Sequence, residues 1–474
     1  MDVGRAQKIG ELSLLLIISA MVVACSGTAG TESTKSSVTT TIHSTATTSP
    51  STTSTTLDTE GEGPLYLRPI DPVTLKDLPG KRPLGLGGSL WAAISPDGRW
   101  LAAAGFETPE GGDPGLTLVD TASWSWSPTI AIPELEPISS LAVTDQGTVV
   151  WLHSPGDHPY IYRLPKGDTE HELVVDLGTT MWPIVQPAEI GMLTEDHLTL
   201  LAFEFDGENY GGFVHVLEVH FETGSISDLL LPDVWHGHIP EANIDADQPF
   251  SLDPGWVFDQ QRDLLYVVPA QDNEVVAVDL DSMQIRQRVR WDTAESFLDS
   301  ILAWWVPAAN AKGGEVAQRR LELSPDGSRL FVATLTPGRE RIEVLDTDTF
   351  DVIASTDFMP MDISLAPDGS VLLAIDSFHP EGTESIDGGR LHLLDPDTLT
   401  TRAQILPDLD LNLSGYSGFS GDGRHAYAWN YSGESEAILY VAIDLTDPRP
   451  VAIRKVYWPG FAIPQAGVLA ADDR

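Results

Sequence analysis

The sequence predicts an all-β chain of repeated four-stranded antiparallel units, and three observations carry that prediction. A strand–turn–strand phrase occurs seven times, an alternating strand ending in a polar turn follows each copy, and most copies are spaced 40 to 55 residues apart. Repeats of that period with four strands each cannot bury a face singly. They stack in a ring, so the expected fold is a single β-propeller.

The first phrase is clearest at 323 to 333, "LSPDGSRLFVA". Pro presets φ for a turn, Asp bonds its own backbone, and Gly accepts the positive φ that closes the hairpin. Its other copies begin at Ala93 ("AISPDGRWLAAA"), Leu141 ("LAVTDQGTVVWL"), Gly191 ("GMLTEDHLTLLAF"), Val257 ("VFDQQRDLLYVV"), Leu365 ("LAPDGSVLLAI") and Gly418 ("GFSGDGRHAYAW"). The turn positions 98, 147, 197, 262, 327, 369 and 423 are separated by 49, 50, 65, 65, 42 and 54 residues. Second halves such as "IEVLDTDTF" and "LHLLDPDTL" add a hairpin to each, completing four strands. Turn geometry accounts for Asp97, Asp326, Asp368, Asp422, Asp346 and Asp395, which are expected to be structural. The wider spacings around 205 to 255 and 290 to 320 imply inserted loops or short helices.

The ends read as halves of one unit. "LYLRPIDPVTL" from Leu65 resembles a second half without a first, and "FAIPQAGVLAA" from Phe461 a first half without a second. If they meet, the ring has eight blades; if each extends a neighbour, seven. Seven is favoured on the general frequency of such rings.

Before Leu65 the chain is of another kind. Arg5 and Lys8 precede an apolar run from Leu12 to Ala24, too short for a comfortable membrane span and suited to a secretory signal. "VVAC" ends that run at Cys25, the single cysteine, which excludes a disulfide framework or a thiolate metal site. Residues 26 to 56 are mostly Ser and Thr and have little to bury, so a flexible stalk is expected. The expected organisation is a signal peptide over 1–24, a lipidated Cys25 with a disordered linker over 25–64, and a propeller over 65–474.

Charge limits the partners. The chain carries 27 basic and 70 acidic residues, a formal charge of −43. Three basic and six acidic residues precede Leu65, leaving 24 and 64 on the remainder. Such a surface repels phosphate backbones, so no nucleic acid is expected to bind.

Two resemblances follow from these residues. "VVAC" resembles the lipobox of bacterial lipoproteins, which implies Cys25 as the lipidated residue, export, and attachment to the cell membrane through an N-terminal lipid with the globule outside or in the periplasm. The consensus S-P-D-G-x-x-L-(F/Y)-V-A followed by L-D-x-x-T resembles the YVTN-type and TolB-like (WD40-like) propeller repeats of bacterial envelope proteins. That likeness implies the fold and leaves the function open.

Candidate chemistry is sparse. "WHGH" sets His236 and His238 two residues apart with Glu241 and Asp245 behind, as imidazole–carboxylate zinc sites require, though a third ligand at diagnostic spacing is missing. "NIDADQP" alternates Asn243, Asp245 and Asp247 as calcium loops do, with Gln248 where the turn glycine belongs. His236, His238, Asp245 and Asp247 are therefore the candidate metal ligands, and a divalent cation the one suggested cofactor. The 13 tryptophans, among them "WSW" at 124 to 126 and "WW" at 304 to 305, are expected in the core rather than as a sugar or quinone platform. No serine context matches the G-x-S-x-G elbow, and no phosphate loop or dinucleotide fingerprint is present. No catalytic residue is indicated. The favoured function is a surface-anchored binding or scaffold module for a protein, peptide or glycan. The alternative is a propeller enzyme (lactonase, lyase or quinoprotein-like dehydrogenase) with its site at the mouth of the central channel.

Overall fold

The structure is a computed structural model. It describes residues 65–471 apart from 88–89, 106–114, 133–137, 155–157, 185–189, 206–210, 239–250, 292–315, 336–339, 359, 377–390, 406–417, 421, 433–436, 458–460 and 464–467. The described residues contain strands and no helix, so the inserted helices allowed by the sequence spacing are not found among them. They form a β-propeller of four-stranded antiparallel blades.

The blade at 316 to 356 shows the design. Its strands are Val316–Leu323, Arg329–Thr334, Arg341–Asp346 and Val352–Thr356, each paired antiparallel with the next. Numbered from the first complete unit, blades 1 to 7 span 90–131, 138–176, 181–238, 255–290, 316–356, 360–405 and 418–457. The first strands of blades 1 and 2, of 4 and 5, and of 5 and 6 lie beside one another, which marks that edge as the inner one.

Blade 8 is shared by the termini. Its sheet runs Leu84–Gly87, Leu65–Pro69, Val468–Ala471, Phe461–Ile463, with Leu67 opposite Ala470 and Ala462 opposite Leu469. The N-terminal segment thus supplies the two outer strands and the C-terminal segment the two inner ones. The described strands form eight such groups, the alternative to the favoured seven.

Packing between faces holds consecutive blades together. Each layer draws on two blades: Trp100, Ala102 and Leu116 meet Leu141, Val149 and Trp151 between blades 1 and 2, and Leu373, Ile375 and Leu391 meet Ala426, Ala428 and Val441 between 6 and 7. Ile70 and Leu75 of blade 8 pack on Tyr427 and Tyr440 of blade 7. On its other side, the Trp124 indole and the Lys81 ammonium donate to the Arg82 and Ser123 carbonyls (2.8 and 3.1 Å), tying blade 8 to blade 1. Removing each large apolar side chain from water contributes about 1.5–3 kcal/mol. The tryptophans at 100, 124, 151, 256 and 291 are buried, as expected, whereas Trp126 is exposed and the pair at 304 to 305 lies outside the described residues.

Both hairpin corners form as their residues dictate. Asp326 Oδ1 accepts from the Ser324 hydroxyl (2.6 Å), the Ser328 hydroxyl (2.8 Å) and the Ser328 amide (3.0 Å), which hold its carboxyl down at about 2. Gly98, Gly147, Gly327, Gly369 and Gly423 take positive φ; in blade 4, which has no glycine there, Asp263 does (φ 51°). The second corner has a feature the repeat pattern did not suggest. An apolar residue follows Asp-x-x-Thr or Asp-x-x-Ser and takes positive φ: Leu75, Trp124, Met283, Phe350 and Leu399 (φ 49 to 56°, and 58° for Phe350). In Phe350 the amide donates to the Asp346 carbonyl (2.7 Å) while Asp346 Oδ1 accepts from the Asp348 and Thr349 amides. Its ring is buried. Left-handed backbone costs roughly 1–2 kcal/mol for such a residue, and burial of the side chain offsets it.

Candidate functional site

The hairpin corners occupy one end of the ring and are matched among themselves. The Asp97 amide donates to Asp145 Oδ1 of the next blade (2.8 Å), Gln261 Nε2 to the Pro325 carbonyl (3.0 Å), and Arg262 Nη1 to the Gly327 carbonyl (2.6 Å). Turn bonding uses the repeated aspartates, in keeping with their structural role.

The opposite end is irregular, and the irregularity starts in blade 3. Its outer strand, Ile226–His238, has 13 residues against five in blade 5. Val214 pairs with Leu231 but Phe213 with Trp235, so Pro232, Asp233 and Val234 bulge out, with Asp233 at φ 65°. A bulge of this kind turns the strand. Beyond it, Gly237 and His238 pair with Leu252 and Ser251, and the strand Ser251–Asp253 pairs in parallel with Val316, Ala317 and Gln318 at the inner edge of blade 5. A strap therefore runs from the outer strand of blade 3 to the inner strand of blade 5. The Trp235 ring seats it on Leu252, Ala270 and Ala317, and the Trp235 indole donates to the His238 carbonyl (3.1 Å). Gly211 and Gly212 are needed beneath it, since a Cβ at either would strike the backbone of His238 or Glu204.

The strap gathers polar groups from several blades. Asp253 Oδ2 accepts from Gln318 Nε2 (2.7 Å) and Arg320 Nη1 (3.2 Å), and His236 Nδ1 stands 3.6 Å from Oδ1. Burial pushes the Asp253 carboxyl up, but His236, Gln318 and Arg320 outweigh it and hold the group below its ordinary value. The His236 ring also tilts against Phe203, 4.9 Å between centroids. On blade 6, mostly buried Asp362 is pushed up to about 6 by desolvation, which Arg320 and the Ile363 amide only partly offset. Beside this cluster, blades 4 and 5 share a buried knot. Arg319 donates to Thr334 Oγ1 and to Asn273 Oδ1 (3.0 Å), and Glu343 accepts from the Trp291 indole (3.2 Å). Burial raises the Glu343 carboxyl despite that bond and the nearby arginines 341 and 319.

Of the metal ligands expected from sequence, the described residues include His236 and His238. His236 and His238 end a strand rather than occupying a loop. Asp245 and Asp247, with Glu241 and Asn243, lie outside the described residues. The carboxylate His236 does meet, Asp253, already faces a guanidinium, which disfavours a cation at that point. Sequence reasoning missed Asp253, Gln318, Arg320 and Asp362, whose neighbours in the chain form no motif. The one legible signal was the wide repeat spacing around 205 to 255, which the sequence reads as an inserted loop or short helix.

No protein-family profile matches the chain, and no curated protein does. Solved structures similar to it include the "Dihydro-heme d1 dehydrogenase NirN in complex with DHE", 15% identical over 83% of this chain and 73% of that one, TM-score 0.46. The "Dos1 propeller" is 12% identical over 80% and 90%, TM-score 0.45. An "Oligogalacturonate lyase in complex with manganese" is 12% identical over 86% and 91%, TM-score 0.42. At these levels the likeness assigns no function.

Proposed function

We propose that this chain is an exported, lipid-anchored β-propeller that holds a protein, peptide or glycan partner on its strap end. The observation that supports this reading is the convergence there of side chains from three blades and the strap: His236 on 3, Asp253 on the strap, Gln318 and Arg320 on 5, Asp362 on 6. At the hairpin end the repeated aspartate corners are used in bonding one blade to the next. Phe213 adds an apolar element. It stands on the strap, 40% exposed, edge-on to Trp235 with centroids 5.3 Å apart, and aromatic anchors beside polar groups are what recognition surfaces use. Cys25 and the Ser/Thr stalk would tether the propeller to the membrane. Asp253 is already engaged by Gln318 and Arg320, which favours a binding role over that of a free catalytic carboxylate.

The test places a photoreactive residue at Phe213 or, on the hairpin end, at Asp397, in cells that make the protein. A discrete adduct from position 213 and none from 397 is expected, with membrane association lost in Cys25→Ser. Adducts from 397 alone, or from neither, would overturn the binding reading, and unchanged membrane association in Cys25→Ser would overturn the anchor.

A further inference from the structure

Blade 3 carries a second cluster, at the hairpin end and on the face toward blade 4. His197 and His220 are directly opposite one another on adjacent antiparallel strands, and Glu218 is two residues from His220 on the same face. Directly opposed residues have Cβ atoms about 4.5–5.5 Å apart, so both imidazoles reach one point. Both face one carboxylate, each by a different oxygen: His220 Nε2 is 3.2 Å from Glu218 Oε2, His197 Nε2 is 4.0 Å from Glu218 Oε1, and the ring centroids are 6.2 Å apart.

Thr194 positions the His197 ring. Its Oγ1 lies 3.1 Å from His197 Nδ1 and accepts from the Asp196 and His197 amides (3.3 and 3.1 Å). A hydrogen-bonded Nδ1 holds the ring with Nε2 toward Glu218, which is how proteins orient a metal-binding histidine.

We propose that His197, Glu218 and His220 form a three-ligand site for a divalent transition-metal ion of the zinc class. Two imidazoles and a carboxylate are the donor set such ions take. With bonds of about 2.1 Å, two ligands on a tetrahedral ion are roughly 3.4 Å apart. The 3.2 Å approach already fits and the 4.0 Å one must close slightly. No three His, Cys, Asp or Glu groups among the described residues stand closed around an ion as they are. Here closure needs side-chain rotation at His197, which is 26% exposed, toward Glu218. The 41% exposure of His220 leaves the remaining coordination positions to water. The acidic surface raises the local cation concentration.

The experiment uses the full chain, stripped of metal by chelator and dialysed against Zn²⁺ with excess Ca²⁺ to occupy plain carboxylates. One zinc retained per chain is expected, with affinity reduced at least tenfold in Glu218→Gln and in His220→Asn and unchanged in His158→Ala, an exposed histidine of blade 2. Co²⁺ in place of Zn²⁺ should give visible absorption bands that both site variants lose. Unfolding temperatures without metal, matching the parent's, show that the variants are folded; His220→Ala serves if either is not. Zinc uptake by the variants equal to the parent's, or no zinc retained by the parent, would overturn the site.

Discussion

Replacing Asp362 by Asn should stabilise the protein at neutral pH, and the gain should vanish in acid. The carboxyl titrates near 3.8 in the unfolded chain and at about 6 when folded. A raised acid pKa means that the unfolded chain releases this proton first as pH rises. Stability is therefore lost between about pH 4 and 6, and the full cost persists above 6. Two units at 1.36 kcal/mol each make that cost about 3 kcal/mol, an upper figure for a group that keeps some contact with water. Asn keeps an oxygen for the Ile363 amide (3.0 Å), and Arg320 keeps Asp253 (3.2 Å), so little is lost in exchange. Unfolding temperatures of parent and variant, measured from pH 4 to 8, are expected to coincide at the acid end and to separate progressively above pH 5, the variant being higher. Coincident curves throughout, or a variant less stable at pH 7.5, would refute the reasoning. A carboxylate kept at such a cost beside the strap is what a binding role would explain, so the same variant should weaken the adduct formed at position 213.

Other substitutions examine the corners. Gly327→Ala and Gly98→Ala share a positive φ (68° and 72°), but a Cβ at 327 would lie 2.9 Å from Asp259 Oδ2 whereas nothing lies within 4 Å at 98. Denaturant unfolding should show about 1 kcal/mol lost at 98 and more at 327; equal losses would mean that blades 4 and 5 do not meet there. At Phe350, Ala should cost about 3–5 kcal/mol, and Gly no more than Ala, because φ 58° relieves glycine of its usual disadvantage. A glycine variant clearly below the alanine one would argue against the left-handed corner. Arg319→Met leaves Glu343 buried without one of its neighbouring charges and should destabilise by about 3–5 kcal/mol; a neutral result in thermal unfolding would remove the knot from the account.

Much of the fold was legible because a propeller repeats its instructions. Ser-Pro-Asp-Gly and Asp-x-x-Thr act locally, through one side chain and its own backbone, so each copy announces its corner wherever it lies in the chain. Even the isolated halves at Leu65 and Phe461 were readable, though their meeting was not: four hundred residues separate Leu67 from Ala470, and frequency pointed to seven blades. The strap shows where local reading stops. Pro232 and Asp233 redirect an outer strand, yet nothing in "LLLPDVWHGH" says that it crosses to blade 5. Asp253, Arg320 and Asp362 acquire their character from neighbours on other blades. The cross-strand cluster of His197, Glu218 and His220 was hidden for the same reason, since register, not sequence spacing, sets the two histidines opposite one another.

The whole description rests on a ring whose last sheet is built from both ends of the chain. In a Cys25→Ser background, cysteines at Leu67 and Ala470, which face each other in that sheet, should join on mild oxidation into a disulfide within one chain, seen as faster migration on non-reducing gels that reductant reverses. Pairing of Leu67 with a cysteine at Ala462, one strand further along the sheet, should be far slower. No intrachain bond at 67 and 470, or equal yields from both pairs, would contradict the shared blade and with it the eight-blade ring.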